Sequence, residues 1–567
     1  MLNLIPKVKN IEIKNGNFNH KSLYFDKNKY SEKLCVALEK LPYDITGAKL
    51  EINLLDSGSE EYELIIDNNL ILINAKSEAA AFYAIQTVRQ IFKHEIIPNL
   101  YIKDYPDFEY RGFYHDVTRG KIPTVETIKK LIDDMAYYKL NSLQLYVEHT
   151  YKFKECEDII EKTGYLSSEE LNEINEYCKL NFIEFIPSLS TFGHLFELLQ
   201  QDKYKHLRVL KDYKDVPNFW RERMFHHTID PLNPQSIEVV KSLIDQYSPN
   251  FDSDIFNICC DETFDLKTYE QQGLDVGKMY VDFVKLIIDH LKNNNKKVMM
   301  WADILLQHPE TIDILPDDTY FLNWNYEPNP PEENIEKFAK LNRKQIVCPA
   351  TISWKRFCEC IDTASQNIIN MAEYGYKHGA LGVLNTNWGD WGNPCSLELS
   401  MYGLVLGAEK SWSATTKIDD TYNASVNFHL YNSVNGVDYI TNLSRLQEKV
   451  IWENFGDYYF NHTISNESPT SNIIRLDIET LQNEYLSLSE KILLDQNLNN
   501  NFKEEMLVAL EGLVVMGELV EKFKGNNINR ITDTTAWLNK YSKLWLNKNK
   551  PNELSSIVDM FTYLENI

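Results

Sequence analysis

The 567-residue chain has no uninterrupted apolar stretch approaching the roughly 20 residues needed to cross a bilayer. Its opening residues, Met1 to Lys9, lack a basic segment followed by an apolar core and a small-residue cleavage site. A soluble, cytoplasmic protein is expected. Positive charge is in short supply: 58 Lys and Arg stand against 83 Asp and Glu, a net charge of -25. A surface of that sign repels phosphate backbones and anionic lipid, which argues against nucleic-acid and membrane partners. Cysteine is sparse and unpatterned, nine residues without CxxC pairs or a histidine at zinc spacing. Neither a disulfide framework nor a structural metal is indicated, and the thiols read as reduced small hydrophobes. No GxGxxG or Walker pattern offers a phosphate cradle, no HExxH helix a zinc site, and no GxSxG elbow a serine nucleophile. No cofactor is expected.

What the chain does have is length and aromatic side chains. It is too long for one hydrophobic core, so two to four domains are expected at about 150 residues each. Residues 1–105 mix short alternating runs such as Leu70 to Ile73 with a helical segment that opens on Ser77, and read as a small α+β domain. Tyr105-Pro106-Asp107 breaks the pattern. From 106 to 425, strand and helix signals alternate. The strand candidates are Arg111–Tyr114, Ser142–Glu148, Phe182–Pro187, Ile255–Cys260, Lys297–Trp301, Tyr320–Trp324, Gln345–Pro349 and Gly382–Trp388. Eight βα units over such a span predict a (β/α)8 TIM barrel, an α/β fold class. Residues 426–567 show only helical periodicity, for example Val437, Ile440, Leu443 and Leu446, and predict a C-terminal helical domain packed on the barrel; a homodimer is left open.

One stretch organises the reading: the apolar run Ile255 to Cys260 ends abruptly in Asp261-Glu262. Alone, an acidic pair is as readily a solvated turn or a helix start. After a buried parallel strand it stands where barrels carry their chemistry. The other strand ends supply Glu148 and His149, His194, Trp301 and Asp303, Trp324 and Tyr326, Ser353 and Trp354, and Trp388, Asp390 and Trp391, while Arg111 opens the first unit. Four strand ends with tryptophan, among charged hydrogen-bonding groups, describe a pocket that stacks a flat sugar ring and grips its hydroxyls.

These residues resemble the family 20 glycoside hydrolases, the β-N-acetylhexosaminidases. The likeness rests on Tyr110-Arg111-Gly112-Phe113, Lys139 to Tyr146, Gly193-His194, Asp261-Glu262, Trp301-Ala302-Asp303 and Trp388-Gly389-Asp390. It implies an exo-acting, retaining hydrolase that uses the substrate's own 2-acetamido carbonyl as nucleophile, a stated exception to the two-carboxylate scheme. Glu262 is then the general acid and later the base, and Asp261 orients the acetamide N–H. Like charges side by side separate the protonation steps of a carboxyl pair, which suits one acid and one anion. The resemblance also gives Arg111 and Asp390 sugar hydroxyls to hold, has His194 support the acid, makes Trp301, Trp324 and Trp388 walls, and leaves Tyr326 as candidate for the acetamide carbonyl; Glu148 and Trp354 are further candidate substrate-binding residues. The substrate would be a small oligosaccharide or glycoconjugate. Two departures stand out: the family's usual Gly-Gly before the acidic pair is Cys259-Cys260 here, and Glu148 replaces a frequent aspartate. Successive strand residues face opposite ways, so both acids reach one pocket only if the chain bends out of the strand. Competing readings are a retaining glycosidase on sugars without the acetamide, with Glu262 and Asp390 as its carboxylates, and a silent sugar-binding homologue.

Overall fold

The computed structural model describes residues 2–55, 57–214, 219–224, 227–465 and 473–567. Six strands, β1 (Asn10–Phe18), β2 (Leu23–Tyr24), β3 (Ala48–Leu54), β4 (Tyr62–Asp67), β5 (Leu70–Ala75) and β6 (Ile97–Asp104), make one sheet in the order β1-β6-β4-β5-β3-β2. Alternation in β4 and β5 turns Tyr62, Leu64, Ile66, Ile71, Ile73 and Ala75 inward. The helix Glu78–Ile91 packs against these strands, its start fixed by the Ser77 side chain accepting the Ala80 N–H.

Eight parallel strands then close a barrel: β7 (Tyr110–Asp116), β8 (Ser142–Val147), β9 (Glu184–Leu189), β10 (Ile255–Asn257), β11 (Lys297–Trp301), β12 (Tyr320–Trp324), β13 (Lys344–Cys348) and β14 (Gly382–Asn387), with β14 returning to β7. Their near-continuous apolar sequences follow from burial on both faces. Helices between them obey their local signals. Ser167 and Glu170 form a reciprocal capping box on Ser168–Leu180, and the buried Ile128, Leu131, Ile132 and Met135 line one face of Val125–Tyr137.

Six of the eight strands differ from the sequence reading at one end or both, and three of these differences bear on the site. Phe182 belongs to a turn, with φ 55°, so β9 starts at Glu184. Trp388 lies beyond the last residue of β14. Above all, β10 stops at Asn257, because Cys259 and Cys260 have φ of 55° and 64° and Glu262 has 48°.

After the barrel the chain is helical, including Gly436–Gln447, Ile478–Leu494, Asn500–Phe523, Thr534–Lys548 and Leu554–Asn566. Val437, Ile440, Leu443 and Leu446 are buried, as their spacing requires. These helices brace the loops that follow β13 and β14. Trp452 Nε1 donates to the Trp391 carbonyl at 2.9 Å, Tyr541 Oη to that of Pro394 at 3.2 Å, and Ser444 Oγ to that of Glu359 at 2.8 Å.

Candidate active site

The acidic pair leaves the barrel wall through a turn that the surroundings hold in place. Asn257 Oδ1 accepts the Cys259 N–H at 2.9 Å, the Cys259 carbonyl accepts from Trp301 N at 3.0 Å, and Tyr280 Oη donates to the Cys260 carbonyl at 2.8 Å. Left-handed backbone in a non-glycine residue costs about 1 kcal/mol or more. Three such residues in four reverse the strand's alternation, so Asp261 and Glu262 both line one cavity of about 170 Å3. Gly193 is needed beside this turn, since a Cβ there would stand 2.5 Å from the Asp261 carbonyl oxygen.

His194, itself at φ 56°, directs Nε2 between the two acids, 3.2 Å from Asp261 Oδ2 and 3.2 Å from Glu262 Oε2. Burial lowers the imidazole's proton affinity, but the two carboxylates outweigh it and push the pKa up to about 10. Donor atoms of His194, Asp261 and Glu262 lie within 4.8 Å of one another. A proton on Nε2, drawn there by both carboxylates, satisfies that geometry without a cation. Glu262 N–H donates to Asp303 Oδ2 at 3.0 Å. Asp303 is half-buried, with its Oδ1 shielded from solvent; burial first, and then the Asp261 charge, push its carboxyl up to about 8.

Across the cavity stands Arg119, in the loop after β7. Asp116 Oδ1 accepts the Thr118 and Arg119 N–H groups at 2.8 and 3.1 Å, and Asp116 Oδ2 accepts that of Gly389 at 3.1 Å, which fastens this loop to the one carrying Asp390. The Arg119 guanidinium reaches Asp390 at 2.9 Å and Glu148 at 3.2 Å, stands 3.1 Å from His194 Nδ1, and lies over the rings of Tyr146 and Trp388. Burial raises the carboxyl pKa values of Asp390 and Glu148, and Arg119 opposes it in both.

The walls are aromatic. Trp301 and Trp388 have ring centroids 5.8 Å apart, Trp324 stacks on Tyr326 at 5.0 Å, and Trp354 tilts against Tyr326 at 5.3 Å. Trp388 Nε1 donates to Tyr326 Oη at 2.7 Å, leaving that oxygen's own hydrogen to donate elsewhere. The cup is therefore lined by Arg119, His194, Asp261, Glu262, Trp301, Trp324, Tyr326, Trp354, Trp388 and Asp390.

Two sequence-derived site residues lie elsewhere. Glu148 sits behind the wall, holding Arg119 and accepting from Tyr146 Oη at 2.9 Å. Arg111 does not approach the cup, which corrects the reading of it as a sugar ligand. It stands at the opposite, N-terminal end of the barrel, 0 % exposed, paired at 2.7 Å with Glu60, in the loop before β4, and donating to the carbonyls of Phe108 and Lys139. The pocket arginine is Arg119. Its signal was its place just past β7, the end that carries the chemistry at every other strand, whereas Arg111 begins the strand.

Comparison with known proteins follows the same outline. The glycosyl hydrolase family 20 catalytic-domain model matches residues 108–378, and the model of that family's domain 2 matches residues 1–105. The chain belongs to glycosyl hydrolase family 20. Among curated relatives it is similar to N,N'-diacetylchitobiase of Vibrio harveyi, 27 % identical over 243 residues (37 % of this chain and 26 % of that protein), and to a β-hexosaminidase of Emericella nidulans, 24 % identical over 319 residues (50 % and 51 %). These alignments span about half or less of the relatives' own length. The solved structure of Flavobacterium johnsoniae chitobiase is similar over 98 % of this chain and 99 % of that one, with a TM-score of 0.64 at 16 % identity. The exo β-N-acetylglucosaminidase of V. harveyi gives 0.59 at 19 % identity, covering 76 % of each chain. At such identities the likeness bears on the family 20 fold.

Proposed function

We propose that this family 20 protein is an exo-acting, retaining β-N-acetylhexosaminidase that releases terminal β-linked N-acetylglucosamine or N-acetylgalactosamine from small oligosaccharides or glycoconjugates. The observation that carries the reading is the adjacent pair Asp261-Glu262, both facing one tryptophan-walled cup. In a two-carboxylate retaining enzyme the nucleophile stands across the ring from the acid, roughly 5 Å away. Here the acids are neighbours in sequence and share the His194 imidazole, while Asp390 is held by Arg119. That arrangement suits a substrate that brings its own nucleophile.

In this scheme Glu262 protonates the glycosidic oxygen while the acetamide carbonyl attacks the anomeric carbon from the opposite face. Asp261 takes the acetamide N–H and balances the positive charge of the oxazolinium intermediate. Tyr326 Oη donates to the carbonyl and fixes its angle of approach, and Trp301, Trp324, Trp354 and Trp388 exclude water until the leaving group departs. Glu262, now a carboxylate, draws a proton from water, which opens the intermediate with net retention. Arg119 and Asp390 hold ring hydroxyls. Nine unpaired cysteines fit a reducing, cytoplasmic setting.

The test compares 4-nitrophenyl N-acetyl-β-glucosaminide with the plain β-glucoside, wild type against Glu262→Gln. The acetamido substrate should turn over and the glucoside should not. Glu262→Gln should lose most rate on N,N'-diacetylchitobiose, whose leaving group needs protonation, and less on the aryl glycoside. Equal hydrolysis of both aryl substrates, or equal losses across leaving groups, would sink the proposal.

A further inference from the structure

Glu262 occupies a backbone conformation that its side chain type does not choose, with φ 48°, directly after Cys259 and Cys260 in the same left-handed region. Such a turn persists only where its surroundings over-determine it. At Glu262 the restraint falls on its own amide, which donates to Asp303 Oδ2 at 3.0 Å. Asp303 comes from the segment just past β11 and is half-buried. Its second oxygen, Oδ1, is shielded from solvent and has no hydrogen-bond partner among the described residues. A third carboxylate beside Asp261 and Glu262 explains itself poorly as a charge and well as a fixed acceptor.

We propose that Asp303 is a positioning residue for the general acid: its carboxyl clamps the Glu262 amide and thereby holds the turn that aims the Glu262 side chain into the cup. This rests on the hydrolase reading above. Asp303 does not line the cup and transfers no proton to substrate. It acts through the aim of Glu262, and a misplacement of about 1 Å in a catalytic group can cost about 100-fold in rate. The neutral form serves this role best, since it accepts an N–H without adding a third negative charge, and a carboxyl pushed up to about 8 is neutral at pH 7. An asparagine offers the same shape and one acceptor oxygen. A leucine offers the volume and no acceptor.

The full-length chain is compared as wild type, Asp303→Leu and Asp303→Asn on N,N'-diacetylchitobiose and 4-nitrophenyl N-acetyl-β-glucosaminide. N-acetylglucosamine binding is followed by tryptophan fluorescence, and amide exchange is followed by mass spectrometry over residues 258–266. Asp303→Leu should lower kcat about 100-fold on the disaccharide and clearly less on the aryl glycoside, with KM and monosaccharide affinity within about three-fold of wild type. It should also speed exchange at the Glu262 amide, and Asp303→Asn should recover at least ten-fold of the lost kcat. Should Asp303→Leu fail to fold, Asp303→Ala, which removes the acceptor without forcing a branched chain into place, carries the same comparison. Unchanged Glu262 exchange in the acceptor-free variant, equal losses on both substrates, or an Asp303→Asn as slow as Asp303→Leu would each overturn the clamp. Exchange is read without turnover, so an inactive wild type would remove the hydrolase reading and leave the clamp to be judged by its amide.

Discussion

Two arginines flank the first barrel strand and do unrelated things. Arg111 is enclosed between Tyr83, Trp412 and Glu60, and its removal strands a partner and three carbonyl contacts. Arg111→Met should cost about 3 kcal/mol of stability, read as a lowered denaturant midpoint, while the folded fraction keeps its KM. Arg119→Lys should leave stability nearly intact and raise KM, because a single ammonium cannot reach Asp390, Glu148 and His194 together as a fork does. If Arg111→Met instead raised KM in folded protein, the separation of the two roles would fail. Asp261→Asn keeps the shape of the site and loses a charge aimed at the acetamide. It should raise the barrier by about 2 to 4 kcal/mol, seen as a fall in kcat on the aryl substrate. Near-wild-type turnover would remove the substrate-assisted scheme. At this scale the sequence was most legible for aromatic and acidic strand ends, since a barrel's topology alone brings them to one mouth. It was least legible for Arg119, whose role depends on a loop pinned by Asp116 through both its own amides and that of Gly389.

Among the elements, β10 is the one that periodicity reads too long. Ile258, Cys259 and Cys260 are as apolar as the strand before them, so composition cannot mark where extended backbone ends and the turn begins. The bend itself was foreseeable, because alternation forbids neighbouring residues from sharing a pocket. Cysteine at both left-handed positions is a compromise between that backbone and a filled interior: Cys259 packs near Tyr114 and Ser188, and Cys260 against Thr191. Cys260→Val should destabilise by about 2 kcal/mol more than Cys260→Gly, since a β-branched side chain at φ 64° is strained while glycine is at ease there. Thermal melts of the two variants decide it, and a valine variant as stable as the glycine variant would contradict the strain. Strands β11 and β12, by contrast, coincide with the spans read from sequence, each being apolar until a terminal tryptophan.

The junction of the six-stranded sheet and the barrel is held by buried ionisable groups. Lys139 pairs with Asp104 at 2.9 Å, and Asp104 also accepts from Tyr62 Oη and Trp412 Nε1. Nearby, Glu409 accepts the Lys7 N–H at 2.8 Å, and burial pushes its carboxyl up to about 7. A folded-state pKa raised above the unfolded value of 4.5 means that the native state holds the proton longer. Its contribution to stability is therefore complete below about pH 4.5 and is lost as pH rises through 7. Glu409→Gln keeps an acceptor for Lys7 and removes the charge. It should match wild type near pH 4.5 and exceed it by about 3 kcal/mol at pH 8, measured by urea unfolding at both pH values. A variant less stable than wild type at pH 8 would reverse the sign. Such long-range pairings were the least readable part of the chain, because nothing local ties Glu60 to Arg111 or Lys7 to Glu409 across 51 and 402 positions.

That fastening bears on how such a protein can be rebuilt or inherited. Because the guanidinium of Arg111 is neutralised by a loop residue of the preceding domain, exchanging that domain for a foreign one would strand a cation under the barrel unless the donor supplied its own Glu60. Recombination between relatives should therefore succeed when both pieces travel together and fail at a crossover drawn between them, however neatly the linker at Tyr105-Pro106 invites the cut.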